Sequence, residues 1–195
     1  SSTSRGLGDV YKRQPIQHAS DKILKAMGRR TNNAELRNII SKLRKEIPDI
    51  CLRTTLITGF PGETEEDHQI LLDFIDEMEF DRLGVFTYSP EEDTKAASLD
   101  NQVDEEVKLC RKDEIMELQQ EISMDKSERL VGKEIEVIIE GKASDEDVYV
   151  GRSYMDAPSV DGYVFINSEE ELMSGDFAKV RIVKAMEYDL IGDLI

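Results

Sequence analysis

Between Cys51 and Asp67 an apolar, β-branched run (Leu52 to Ile57) stops at Gly59-Phe60-Pro61-Gly62, and an amphipathic pattern opens at Thr64 with Glu65, Glu66 and Asp67. That order predicts a strand, a glycine-rich turn and a helix. Thr64 followed three residues later by Asp67 resembles a capping box with Asp in place of the usual Glu. The same alternation continues on both sides. Leu36, Ile39, Ile40, Leu43 and Ile47 repeat at helical spacing up to Pro48, Ile70, Leu71, Phe74, Ile75 and Met78 do so after the turn, and Arg82 to Tyr88 reads as a further strand closing on Ser89-Pro90. Pro15 to Ser20 reads as the end of a strand and a polar turn, and Asp21 to Met27 as a short helix. Strands that alternate with helices through short loops imply βαβ units and a parallel sheet. Three strands are too few for a closed eight-stranded barrel and fit the second half of one. The glycines of the turn would let a flat or phosphorylated ligand approach bare backbone at the C-terminal end of a strand, although an ordinary βα loop uses the same residues.

From Val103 to about Arg129 a long charged helix is expected, with Val107, Ile115, Leu118 and Ile122 as spaced apolar positions and a length that suits a connector. After Leu130 the period changes to two. Glu134 to Glu140, Val148 to Arg152, Tyr163 to Ile166, Ala178 to Val183 and Asp189 to Leu194 read as short strands separated by Gly and Asp, the pattern of a small β-barrel. The expected organisation is therefore a partial barrel over 15–100, a connecting helix over 101–130 and a β-barrel over 131–195. Residues 1–14 stand apart: they have no hydrophobic period, and Asp9 to Gln14 can be back-translated into a sequence that resembles the mosaic-end adapter of transposase-based DNA library preparation. The authentic chain is expected to begin at Pro15, in mid-domain. Without the three basic and one acidic residues of that segment the net charge of −17 becomes about −19.

A net charge of this size argues against a general phosphate-binding surface and suits a basic partner or a soluble enzyme. No apolar run is long enough to span a bilayer, and no basic n-region precedes an apolar stretch. Cys51 and Cys110, far apart and without a CxxC neighbour, make neither a disulfide framework nor a metal site, and a reducing cytoplasm is the expected location.

Five ordered stretches carry a family resemblance: Pro15-Ile-Gln-His-Ala-Ser20 with Leu24 to Arg29, Leu52 to Thr64, Phe80 to Pro90, Gly151-Arg-Ser-Tyr-Met-Asp-Ala-Pro158 with Val160-Asp-Gly162, and Tyr188 to Gly192. Together they resemble the radical S-adenosylmethionine methylthiotransferases, in the type that modifies an aspartate of a ribosomal small-subunit protein. The tRNA-modifying relatives carry Gln-Ser-Gly-Ser where this chain has Gln17 to Ser20, and lack the Gly-Arg-Ser…Asp-Ala-Pro stretch. The resemblance implies an α/β fold in which the last strands and helices of a TIM-like radical barrel precede a small all-β TRAM barrel. It also implies an activity that inserts a methylthio group at the aspartate β-carbon with S-adenosylmethionine and two 4Fe-4S clusters. The family's cluster cysteines, including a CxxxCxxC triplet, would lie N-terminal to Pro15. Neither Cys51 nor Cys110 matches a ligand position, so this chain is expected to ligate no cluster and to be inactive alone.

The family pattern GxIxGxxxE maps onto Thr55, Ile57, Gly59 and Glu63, with Thr in place of the first glycine. By resemblance Gly59 and its turn would lie near the adenine, with packing from Ile57 or Phe60. Gln17 and Ser20 would hydrogen-bond ribose or methionine groups. Arg53, which alternates with core residues, would hold the methionine carboxylate or a structural acid. His18 would face the cavity and touch substrate, or be a satisfied polar residue at a strand end. His68, on an acidic stretch, is expected to be solvated, the two cysteines to be inert, and Asp93 stands where the family has Gly. Residues 131–195 hold 15 Asp and Glu against 6 Lys and Arg. That balance suits docking to a basic ribosomal protein better than binding RNA. A non-catalytic TRAM binding module and a tRNA methylthiotransferase are the alternatives.

Overall fold

The computed structural model describes residues 15–143, 147–158 and 160–195, and the backbone of 11–13. The chain divides into one compact unit from Lys12 to Ile122 and another that carries Ser123 to Ile195.

In the first unit, β1 (Tyr11–Arg13), α1 (Asp21–Ala26), α2 (Asn33–Glu46), β2 (Cys51–Thr58), α3 (Glu65–Met78) and β3 (Arg82–Thr87) are followed by α4 (Glu105–Glu128). The sheet order is β1-β2-β3, and β2 and β3 run parallel with Arg53 opposite Arg82 and Ile57 opposite Phe86. Both main helices start with a reciprocal cap. Asn32 pairs with Glu35 at α2 and Thr64 with Asp67 at α3, each satisfying two amides that the helix leaves without partners. The left-handed Glu79 (φ +40°) ends α3. No base stands in the last turn of α3, and Arg44 of α2 supplies one, donating to the carbonyls of Met78 and Glu79.

Strand alternation sorts β2 into two faces. Leu52 and Leu56 are buried in one cluster with Leu36 and Ile40 of α2 and Leu71, Phe74 and Ile75 of α3. Each such side chain contributes roughly 1.5–3 kcal/mol by leaving water. Arg53, Thr55 and Ile57 occupy the other face, half-buried, and Phe86 beside Ile57 is 63% exposed.

Three features differ from the sequence expectation. The segment Pro15 to Ser20 forms a single parallel bridge, Gln17 to Leu56, rather than a strand end. The strand beside β2 is Tyr11–Arg13, inside the segment expected to stand outside the fold, while residues 1–10 and 14 lie outside the described residues. The long helix is more than a connector: Ile115 and Ile122 are buried in the first unit's core, which therefore extends past residue 100 to Ile122. The apolar spacing of α4 was visible in the sequence, but its burial follows from packing against an α/β core that the charge-rich pattern conceals.

The second unit is a closed five-stranded barrel of β4 (Glu134–Lys142), β5 (Val148–Ser153), β6 (Val164–Asn167), β7 (Phe177–Ala185) and β8 (Leu190–Leu194), in the order β4-β5-β6-β8-β7. Among the described residues of this unit, only β6 and β8 pair in parallel. Val137, Ile139, Tyr149, Val164, Ile166, Val180 and Ile182 fill the interior from alternate positions. Register shifts at Ile139/Gly141 and Ile182/Lys184 supply the bends that closing so small a barrel requires.

Candidate functional site

The C-terminal end of β2 is organised around one carboxylate. Glu63, its side chain fully buried, accepts the amides of Gly59 (2.8 Å) and Phe60 (3.2 Å) and the hydroxyl of Thr58 (3.3 Å), so it pulls the turn Gly59-Phe60-Pro61-Gly62 back onto itself. Arg111 of α4 approaches the same carboxylate at 3.0 Å and its backbone carbonyl at 3.4 Å. On the opposite side His18 Nε2 stands 3.4 Å from Glu63 Oε2. His18 Nδ1 accepts the amide of Ser20 at 2.9 Å, which puts the proton of a neutral ring on Nε2, toward Glu63. Burial pushes the Glu63 carboxyl up, but His18, Arg111 and the Phe60 amide outweigh it and leave the group below the ordinary glutamate range.

A second carboxylate fixes the neighbouring segment. Asp67, in the first turn of α3, accepts from Ser20 Oγ (2.7 Å), Lys22 Nζ (2.6 Å) and the amide and hydroxyl of Thr64 (2.9 and 2.8 Å). Burial raises this group too, and Lys22, Ser20 and Thr64 together bring it far below the usual carboxylate range. The cap residue recognisable in the sequence thus also anchors segment 18–22 to α3.

The residues expected to face a ligand fall into different positions. Gln17 lies beside β2 with its amide on the Thr55 carbonyl (3.0 Å) and its carbonyl on the Ile57 amide (2.8 Å). Its φ is +73°, a conformation that costs a non-glycine residue about 1–3 kcal/mol and is concentrated at functional sites. Its side-chain Oε1 is buried without a hydrogen-bond partner among the described residues, as is the hydroxyl of Tyr88, whose own amide is held by the Thr58 carbonyl. Phe60 is buried and meets Tyr88 edge to face at 5.2 Å. Ile57 and Arg53 share the half-buried face of β2.

Ser20 donates its hydroxyl to Asp67. At Gly59, the side where a Cβ would stand is filled by the aliphatic stem of Lys108. Gly59 is required there by its φ of +73° and by this close approach. His68 departs from expectation: it is 1% exposed, and its Nε2 meets Glu114 Oε2 of α4 at 2.7 Å. The acidic run before it suggested a surface, whereas its spacing to Leu71, Ile75 and Met78 marks the buried stripe of α3. Arg111 and Lys108, which complete the site, had no signal in the sequence beyond being charges on a helix.

Gln17 Oε1 and the hydroxyl of Tyr88, whose ring packs against Phe60, are buried polar atoms without a partner among the described residues, the kind of atoms a polar ligand would satisfy. An iron–sulfur cluster does not fit the two cysteines. Cys51 is buried at the start of β2, the end away from the turn. Cys110 is exposed on α4, and the Glu114 carboxylate beside it pushes its thiol up, against the thiolate a cluster needs. Among the described residues no three His, Cys, Asp or Glu side chains converge as a metal site.

Comparison with known proteins places these features in families. The radical SAM superfamily matches residues 13–75 and the TRAM domain residues 131–195. The chain is 60% identical over 178 residues to the ribosomal protein uS12 methylthiotransferase RimO of Lachnoclostridium phytofermentans, covering 91% of this chain and 40% of that protein. Proteins of the same description from Acetivibrio thermocellus (51% over 181 residues, 93% and 40% covered) and Clostridioides difficile (50% over 185 residues, 95% and 41% covered) are similar. The chain spans about 40% of the length of these relatives. Among solved structures, coproporphyrinogen III oxidase (HemN) from Escherichia coli, a radical SAM enzyme, aligns with a TM-score of 0.50 at 15% identity, over 74% of this chain and 41% of that one. That likeness concerns the fold.

Proposed function

We propose that this chain, similar over most of its length to ribosomal protein uS12 methylthiotransferases, supplies the cofactor-facing turn and the docking barrel of a radical S-adenosylmethionine enzyme that methylthiolates the β-carbon of an aspartate in ribosomal protein uS12. The observation that carries this proposal is the Glu63-centred turn. A buried carboxylate holds Gly59 and Phe60 at the C-terminal end of a parallel strand, where ligands of such sheets bind.

In this reading S-adenosylmethionine and the iron–sulfur clusters supply the radical and sulfur chemistry when bound, and residues other than Cys51 and Cys110 hold the clusters. Gln17 Oε1 accepts from the cofactor's amino or ribose groups, the Tyr88 hydroxyl donates to it, and Ile57 and Phe60 exclude water from the adenine. Arg53 lies on the sheet face turned toward the ligand and orients a carboxylate there, as a fork that offers two parallel donors. His18, with its proton toward Glu63, keeps the turn closed and contributes to the cavity wall. Reaction in a water-poor site requires that these groups be fixed beforehand, and the buried network at Glu63 and Asp67 does so.

The acidic barrel is the proposed docking element. Its excess of carboxylates draws a basic ribosomal protein by long-range attraction and repels a phosphate backbone. Among the described residues no helix is long and apolar enough to cross a membrane. The test is a binding comparison with purified uS12 and tRNA across ionic strength. Binding of uS12 that weakens with salt, with little affinity for tRNA, is expected; preferential binding of tRNA would favour a tRNA methylthiotransferase instead.

A further inference from the structure

The start of α4 and the loop before it touch the cofactor-facing turn in three independent places. The Asn101 carbonyl accepts the Gly62 amide at 2.7 Å. The stem of Lys108 covers Gly59, and its ammonium, on a side chain only 5% exposed, reaches the Tyr88 carbonyl and Glu105 at 3.0 Å each while lying over the Tyr88 ring. Arg111 spans Glu63 at 3.0 Å and Glu65 at 3.3 Å with the two arms of its guanidinium. Burying two cations of one helix against one turn is expensive unless each is matched: Arg111 meets Glu63 of the turn and Glu65 of α3, and Lys108 meets the Tyr88 carbonyl and Glu105 of its own helix.

We propose that residues 101–111 act as a clasp, in which Lys108 and Arg111 are positioning residues that hold the turn 59–63 in its ligand-ready conformation. The clasp rests on the reading of that turn as cofactor-facing, but its mechanical part stands on the contacts alone. Without Arg111, Glu63 has an unmatched charge and its hold on the Gly59 and Phe60 amides loosens. Without the Lys108 stem, the left-handed Gly59 loses the wall that confines it. The helix is then a part of the site rather than a spacer that follows it.

Native-state amide exchange, followed by NMR in the full chain, separates local loosening from loss of the fold. In Arg111→Met, exchange at Gly59, Phe60 and Gly62 should accelerate about tenfold or more while Leu71 and Phe74 in α3 keep their protection. Arg111→Lys, which keeps the charge and loses the fork, should fall between, and Gln119→Met, on the same helix but bonded to Phe80, should leave the turn unchanged. If Arg111→Met does not fold, Lys108→Met decides in the same way. Unchanged exchange at the turn, or equal acceleration at the turn and in α3, overturns the clasp. In the same variants, affinity for S-adenosylhomocysteine should fall about tenfold as the pre-organised turn is lost. A loosened turn with unaltered affinity overturns the positioning role, whereas a loosened turn in a chain that never binds the probe supports the clasp and sinks the cofactor reading.

Discussion

Glu79 and Asp93 are non-glycine residues held at positive φ, at +40° and +64°. Asp93 holds a left-handed conformation that Asp tolerates better than most residues. Glu79 is the costlier case because it terminates α3 with a longer side chain than the Asn or Asp that this conformation tolerates. Glu79→Gly should stabilise the first unit by about 0.5–1 kcal/mol, and Glu79→Val should cost about 1–2 kcal/mol, read from urea midpoints. Residue-scale features were unevenly legible in the sequence. The cap at Thr64 announces itself because capping chemistry is local. Glu63 was visible as a motif position but not as the centre of five contacts, since Arg111 and His18 come from distant segments. His68 was misread because charge density at 65–67 concealed its place on the buried stripe.

At the scale of elements, the network at Glu63 ties β2, α3 and α4 together, and its electrostatics set its response to acid. The folded-state carboxyl is held below its ordinary value of 4.5, so its contribution to stability is fully present above that value and is lost as the pH falls through the lower folded value. Glu63→Gln leaves Arg111 buried beside a neutral amide, and should cost about 3 kcal/mol at neutral pH. The difference between Glu63→Gln and the unaltered chain should shrink as the pH drops below the glutamate range, in chemical denaturation at pH 7 and pH 3.5. A difference that stays constant with pH would mean that Glu63 acts through shape rather than charge. The elements themselves were largely legible, because periods of 3.6 and 2 mark helices and strands with little ambiguity here. What the period does not reveal is which elements share a core, so α4 read as a connector although Ile115 and Ile122 are buried with the α/β unit.

The whole chain combines two units with separate cores, and the barrel closes its own sheet, leaving no open edge of its own to pair. Ile166 is fully buried in the barrel, and Ile166→Ala should cost that unit about 2–5 kcal/mol. Heteronuclear NMR spectra should then show barrel amides losing dispersion well before those of Lys12 to Ile122. Collapse of both sets together would show that the units fold as one. The barrel was legible from alternation and turn spacing, while the pairing of β6 with β8 in parallel depends on closure and leaves no trace in a single sequence. The proposed meeting of the turn at the end of β2 with S-adenosylmethionine is read by a titration of the full chain with millimolar S-adenosylhomocysteine, followed residue by residue in heteronuclear spectra. Shifts confined to Gln17, Ile57, Gly59, Phe60 and Tyr88, with the barrel unmoved, are the predicted result; a saturating response elsewhere with these five unmoved would contradict it.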